Sequence, residues 1–314
     1  MKEISKSCRW CGGSNLTRLA YAAKAPWTTS NSVSQSDFSE FVECLNCGLK
    51  YFTESFKSDE LDRMYSDYRG KSYLERRQHW EPWYTEKVNK AIGHSSTTLV
   101  NRKEHLSNML TAEIDRNTIT SPTRVLDFGG DEGQFIPELI SITERAVLEI
   151  SAVRTITNVQ KFSGWDEVPS FKPDFIMMCH VLEHTIDARK LVEEAFYMLP
   201  VTGLLYIEVP LDSPPRIPHI FSQHFYSRWT EYIRRGRRRW MICDLLGLLS
   251  KRFLGVLIPG SVIKQSEHVN YFSERAILDV CESIGFHFIS SSTYLASKDV
   301  PILKVNALGI IFKK

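Results

Sequence analysis

Apolar residues along the chain follow two different periods. From residue 123 onward, short apolar runs alternate with turn residues and helix-spaced segments. Thr-Arg-Val-Leu-Asp-Phe-Gly-Gly predicts a buried strand running into a glycine turn, with a helix starting near Gln134 and Pro137 in its first turn. Arg-Ala-Val-Leu-Glu-Ile-Ser (145–151) predicts a second strand, and 155–159 a short third. Residues 173–184 predict a strand entering a loop and helix, and 203–210 a strand ended by Pro210. Ser273 has the form of an N-cap with Ala276 at the third helical position, and apolar spacing predicts a helix over 274–284. Two strands close the chain. This alternation predicts an α/β chain with a doubly wound, mainly parallel sheet.

The first 122 residues have a different texture. Leu61, Met64, Tyr65 and Tyr68 recur at helical spacing, so 58–118 reads as a helical connector or substrate cap. Residues 1–57 read as a separate module whose interior, Pro26 to Ser39, is rich in Ser and Thr and forms a long loop. The third part, 119–314, is the sheet-bearing core, with an insertion at about 211–265.

Cysteine placement changes the picture of the N-terminal module. The N-terminus has no apolar stretch of a secretory signal and no run reaches the length of a membrane span, which predicts a cytosolic chain with reduced thiols. There, clustered Cys point to metal. Cys8 and Cys11 form one C-x2-C pair and Cys44 and Cys47 another, each followed by Gly. Two such knuckles predict a closed four-thiolate site suited to structural Zn(II). Cys179, Cys243 and Cys281 are isolated and predicted to pack as small apolar residues.

The glycine turn carries candidate cofactor chemistry. In Val125-Leu126-Asp127-Phe128-Gly129-Gly130-Asp131-Glu132-Gly133 an apolar strand ends in an acid and turns on glycine, which lets a ligand lie against bare backbone. Asp127 is placed to receive an ammonium group. Glu149, at the end of the second strand, is placed to accept two ribose hydroxyls. The spacing is not G-x-G-x-x-G, and an acid before the loop repels a pyrophosphate, which disfavours a nicotinamide cofactor.

These segments, in this order, resemble the class I S-adenosylmethionine-dependent methyltransferases. Val-Leu-Asp-Phe-Gly-Gly-Asp-Glu-Gly is similar to the family's first motif and Leu-Glu-Ile-Ser to its second-strand acid motif. Residues 174–184 resemble the fourth strand and the His-x-x-Glu-His signature after it. Residues 198–210 resemble the turn before the fifth strand, and 267–286 the late Glu-His-x-x-x-Phe-Ser segment. The resemblance implies a Rossmann-like seven-stranded sheet. It implies cofactor contacts at Asp127, Gly129, Gly130, Gly133 and Glu149, and places His180 beside the cofactor. Asp131 stands where the family has its middle Gly, and Thr202 where a Pro-Gly-Gly turn is expected.

With a zinc-ribbon-like module in front, the chain looks like methyltransferases acting on sugars in surface-polysaccharide or natural-product pathways. That likeness implies a proton-abstracting pair at Glu267 and His268, with Tyr68 and Tyr271 as substrate-site hydroxyls. Sugar C-methyltransferases of this kind carry a further C-terminal domain for which 314 residues leave no room, so O- and C-methyl transfer both stay open. The implied acceptor is a sugar on a nucleotide or lipid phosphate.

Net charge is +2 overall, which disfavours general nucleic-acid binding, but its distribution is uneven. Segment 228–252 carries Arg228, Arg234, Arg235, Arg237, Arg238, Arg239, Lys251 and Arg252 against Glu231 and Asp244, a local +6 that leaves −4 for the rest. After the Arg block, Met241, Ile242, Leu245, Leu248, Leu249, Phe253 and Val256 form one helical face, with Asp244, Gly247, Lys251 and Gly255 opposite. This pattern fits a lid or dimer helix, a peripheral membrane contact through 228–258, or recognition of phosphate on a nucleotide-sugar or RNA. An RNA methyltransferase and a non-catalytic zinc and membrane scaffold are the alternatives to the sugar enzyme. Oligomeric state is left open.

Overall fold

A computed structural model describes residues 7–29, 33–65, 67–94, 96–149, 153–211, 223–297 and 305–314. Parts of the expected 26–39 loop, the 145–151 strand, the 211–265 insertion and the last two strands lie outside these residues. The chain forms two compact units, one built from Met1–Cys8, Gly12–Ile92 and Ser213–Tyr271, the other from Arg9–Cys11, Gly93–Asp212 and Phe272–Lys314. Elements are numbered in chain order.

The first unit holds a five-stranded sheet in the order β10-β3-β2-β1-β9. β1 (Leu16–Lys24), β2 (Phe38–Cys44) and β3 (Lys50–Phe52) come from the N-terminal segment, β9 (Ile263–Gln265) and β10 (Asn270–Tyr271) from far along the chain. β9 pairs parallel to β1 and β10 antiparallel to β3. Most of the segment expected as an insertion at 211–265 falls in the N-terminal unit and supplies β9, while β10 lies just beyond it. Ala22, Phe41, Phe52, Leu257 and Ile263 form the core of the sheet's packed face. α1 (Ser58–Tyr65), α2 (Lys71–Trp80), most of α3 (Glu86–His94), α6 (Gln223–Arg234) and α7 (Arg237–Leu254) belong to this unit.

Buried charges in this unit are paired, because an isolated ion out of water is costly. Lys24, fully buried, meets Glu60 at 2.6 Å. Arg234, the one member of the Arg block that is 2% exposed, donates to the Lys24 carbonyl and the Thr29 hydroxyl. Lys264 bridges Glu81 at 2.7 Å and Asp244 at 2.9 Å.

The second unit is a seven-stranded sheet in the order β11-β12-β8-β7-β4-β5-β6. β4 (Arg124–Phe128), β5 (Glu144–Leu148), β6 (Gln160–Phe162), β7 (Phe175–Cys179) and β8 (Leu204–Pro210) are parallel. β12 (Val305–Lys313) and β11 (His287–Ser297) add antiparallel pairs at one edge. All seven residues of β8 are buried, the mark of a strand covered on both faces. α4 (Ser96–Asp115) packs Leu106, Met109 and Leu110 onto Val125, Val147, Phe175 and Met177. α5 (Ala188–Met198) and α8 (Glu274–Ile284) complete the unit. Ser273 caps α8, its hydroxyl accepting from the Ala276 amide at 3.2 Å, as the sequence predicts.

Three local expectations fail. No helix follows the glycine turn; 131–143 is a run of turns and coil. Pro137 has no amide to donate and disfavours helical backbone at Ile136. The third strand is 160–162, not 155–159, which holds a turn with Asn158 at φ 65°. His180 to Asp187 are turns and bends, and the helix expected by 184 begins only at Ala188.

Candidate functional site

The chain runs β4 to β5 to β6 on one side of the second sheet and continues through β7 and β8 on the other. β4 is therefore the switch strand, whose carboxyl end is where open α/β sheets bind ligands. Asp127 lies near that end, fully buried, with both carboxylate oxygens lacking a hydrogen-bond partner among the described residues. Burial pushes its carboxyl up to about 7, with Glu208, Glu149 and Asp131 adding to the rise and Arg102 opposing it. An orphaned buried acid is costly unless something outside the chain completes it.

The loop above Asp127 is built for close approach. A Cβ on Gly130 falls 2.5 Å from the Asp127 carboxyl carbon, so only glycine fits there. Gly129 (φ 64°) and Gly133 (φ 83°) are left-handed. Asp131, standing where the resembled family has Gly, is left-handed too at φ 52°. Asp is among the few non-glycine residues that tolerate this region, so the loop keeps its course. The Asp131 amide donates to Glu149 at 3.3 Å, which ties the loop to the residue after β5. The departure at Thr202 resolves similarly: Gly203 donates to the Pro200 carbonyl, and a Cβ there meets Leu199 and Pro200 at 2.9 Å.

Beside Asp127 sits an ionic cluster that the sequence reading missed. Glu208 in β8 pairs with Arg102 of α4 at 2.7 Å and accepts from the Tyr206 and Tyr294 hydroxyls at 2.9 and 2.7 Å. His180 lies between Glu183 at 3.0 Å and Glu208 at 3.2 Å, one ring nitrogen to each. Burial and Arg102 work against the imidazolium, but the two carboxylates prevail and raise His180 to about 9. Burial also opposes the Glu208 charge, yet Arg102 and His180 hold it far below the usual carboxylate range. The signal available in sequence was a Glu in the middle of an apolar strand, which is rarely buried unless paired.

In the first unit, Glu267 accepts from Tyr73, from Arg77 at 3.1 Å and from Tyr68 at 3.3 Å. Tyr73 and Arg77 were not among the predicted site residues; their spacing of four on α2 was the readable sign. Desolvation and the Glu267 charge push both phenols up, so Tyr68 and Tyr73 stay protonated donors and Tyr68 is no base. His268 faces Tyr271 with ring centroids 6.1 Å apart. Tyr271 packs edge-on against Phe41 and Phe52, a role in the aromatic core.

Cys8, Cys11, Cys44 and Cys47 come together with all ligand atoms within 4.8 Å of one another. Gly12 and Gly48 take left-handed backbone and donate to the Cys8 and Cys44 carbonyls, forming the two knuckles. Cys8 and Cys47 sulfurs are 3.9 Å apart. Corners of a tetrahedron with metal–sulfur bonds of about 2.3 Å are about 3.8 Å apart, so this donor set fits a thiolate-bound ion.

Comparison with known proteins decides the family. The family model described as "Methyltransferase domain" matches residues 102–291, more than half of the chain. This chain belongs to the methyltransferase-domain family. It is a class I S-adenosylmethionine-dependent methyltransferase with the family's Rossmann-like, seven-stranded sheet. No curated protein sequence matches it. Among solved structures it is similar to the 1,6-didemethyltoxoflavin-N1-methyltransferase of Burkholderia thailandensis (12% identity, TM-score 0.43, covering 74% of this chain and 84% of that one). It is similar also to the N-methyltransferase NodS of Bradyrhizobium japonicum (12%, 0.40, 75% and 98%). A third is the magnesium protoporphyrin IX methyltransferase of Synechocystis (11%, 0.39, 75% and 92%). In this methyltransferase the candidate cofactor residues Asp127, Gly129, Gly130, Gly133 and Glu149 share one loop and the strand ends beside it.

The Asp127 environment sets a pH signature in the cofactor-free protein. Its folded pKa, about 7, lies above the unfolded value of about 3.9, so its contribution is full below pH 4 and is lost as pH rises through 7. Asp127→Asn is therefore expected to match wild type at pH 4 and to gain stability relative to it with rising pH. The gain approaches a ceiling of roughly 4 kcal/mol by pH 8. Urea unfolding across that range tests this; a pH-independent difference contradicts the buried, unpartnered carboxyl.

Proposed function

We propose that this methyltransferase acts on a sugar carried on a nucleotide or lipid phosphate, transferring the methyl to oxygen or carbon. The observation that carries the cofactor half of this reading is Asp127. Its orphaned oxygens lie under a glycine loop and match a ligand that presents an ammonium group against bare backbone. Glu149 is assigned the ribose hydroxyls of the cofactor. His180 is assigned a positioning role through its pairs with Glu183 and Glu208, not a direct contact.

S-adenosylmethionine supplies an activated methyl on a positively charged sulfur. What is left to the chain is to orient the acceptor and remove its proton. We assign proton removal to His268, whose imidazole nitrogen can accept a proton from a hydroxyl or an enolisable carbon. Glu267 holds Tyr68, Tyr73 and Arg77 in one hydrogen-bonded set, and phenol donors with a guanidinium suit a hydroxylated, phosphate-bearing acceptor. The small-molecule acceptors named for the similar structures are compatible with this class of reaction. The four-Cys site is assigned structural Zn(II), with all four positions taken by thiolate and none left for substrate.

Two outcomes check these assignments. Calorimetry with S-adenosylmethionine should show affinity falling at least tenfold in Asp127→Asn and Glu149→Ala but unchanged in His268→Ala. The last should lose at least a hundredfold in methyl transfer to sugar nucleotides, measured as S-adenosylhomocysteine formed. Retained affinity in both loop variants removes the cofactor assignment, and retained turnover in His268→Ala removes the base. Separately, elemental analysis should find one zinc per wild-type chain and a marked loss in Cys44→Ser; full zinc in that variant contradicts the four-thiolate site.

A further inference from the structure

Helix α7 is turned inside out. Its buried positions are Trp240, Asp244, Gly247 and Ser250, mostly small or polar. Asp244 is held there by Lys264 at 2.9 Å, and Gly247 allows the approach of Leu257 and Ser261, which a Cβ would meet at 3.4 and 3.5 Å. The apolar stripe points outward: Ile242 is 60% exposed and Phe253 78%, with Leu245, Leu246 and Leu249 exposed between them. These positions repeat at three and four, one continuous helical face. An amphipathic helix ordinarily buries such a face; this one presents it to solvent.

The surroundings of that face are cationic. Arg228, Arg235, Arg237, Arg238, Lys251 and Arg252 are all exposed. Arg238 stands one turn before Ile242 on the same stripe, and Arg252 flanks Leu249. Of the two acids between 223 and 256, Asp244 is buried and Glu231 partly covered. α6 adds aromatic groups. Phe225 and Tyr232 are exposed, Trp229 stacks on Tyr232 with centroids 5.7 Å apart, and Arg239 of α7 lies 4.0 Å over the Tyr232 ring. His224, Phe225, Arg228, Trp229 and Tyr232 line one shallow groove. Trp and Tyr, with an apolar body and a polar tip, favour the boundary between lipid and water. No described helix is long and apolar enough to cross a membrane; a basic amphipathic helix can instead lie in the plane of a bilayer.

We propose that the α6–α7 segment is a peripheral docking surface for an anionic lipid bilayer. The exposed apolar stripe of α7 enters the headgroup boundary, and the flanking Arg and Lys meet lipid phosphates. Charge selects this occupant over a second copy. A symmetric pair through this face brings six cations of one copy toward six of the other, with no exposed acid in the segment to meet them. An anionic bilayer supplies the missing negative charge and the apolar layer together. This inference does not depend on the acceptor or the catalytic residues.

The test is flotation of the full-length chain with vesicles of phosphatidylcholine alone and of phosphatidylcholine containing about one third phosphatidylglycerol. Wild type should bind the anionic vesicles at least tenfold more tightly and release them at high salt. Leu249→Ser/Phe253→Ser should weaken binding at least tenfold. Arg235→Gln/Arg238→Gln/Arg252→Gln should weaken it about a hundredfold, each cation near an anionic surface being worth ~1 kcal/mol and each ~1.4 kcal/mol a factor of ten. All five positions are exposed, and unchanged circular dichroism and Tm confirm folding. Equal binding to both vesicle types overturns the proposal, as does no binding to either. A dimer in sedimentation that Leu249→Ser/Phe253→Ser dissociates, without vesicle binding by wild type, also overturns it and assigns the face to a second copy.

Discussion

A carboxyl group buried near the end of a central strand, with no hydrogen-bond partner among the described residues, constrains everything around it. Asp127 fixes the loop that follows, because Gly130 can carry no side chain against the carboxyl carbon 2.5 Å from where a Cβ would stand. It sets the local electrostatics, since a group held near neutrality cannot tolerate a fully unbalanced Glu208 nearby. Arg102 and His180 supply that balance. The loop that follows is left-handed at three alternate residues, Gly129, Asp131 and Gly133. A structural acid would have recruited a donor from its own fold. This one has no donor among the described residues, as the proposed ammonium contact requires.

Much of this was legible in local sequence. The β4 strand, its terminal acid, the outer glycines, the two Cys knuckles and the Ser273 cap are all short-range features, and each appears where its residue chemistry puts it. The misreadings were of two physical kinds. One is local: Pro137, expected in the first turn of a helix starting near Gln134, lies instead in a run of turns and coil. The other is non-local pairing. Nothing near Ile263 or Tyr271 announces that these residues complete a sheet begun at Leu16, and nothing in α4 announces that Arg102 meets a Glu 106 residues later. Tyr73 and Arg77 were passed over because their partner, Glu267, is equally remote.

The Arg-rich segment shows how position changes the meaning of charge. Arg234 is a buried tie to Lys24 and Thr29, and Arg239 covers Tyr232, so the block is not one uniform cationic patch. What remains outside is a set of cations around an apolar stripe. The helix pattern was readable, but its orientation was not. Asp244 and Gly247 look like a solvent stripe until Lys264 and Ser261 are seen against them.

The central claim, that Asp127 is protonated near neutrality when alone and ionised when it receives the cofactor's ammonium, has a direct measurement. S-adenosylhomocysteine carries the same ammonium. Its binding should be followed by calorimetry at pH 6 in buffers of different ionisation enthalpy, which reports the protons released. The account predicts nearly one proton released per ligand bound at pH 6, falling toward none above pH 8 and absent in Asp127→Asn. Binding without proton release at pH 6, or release that persists in Asp127→Asn, contradicts it.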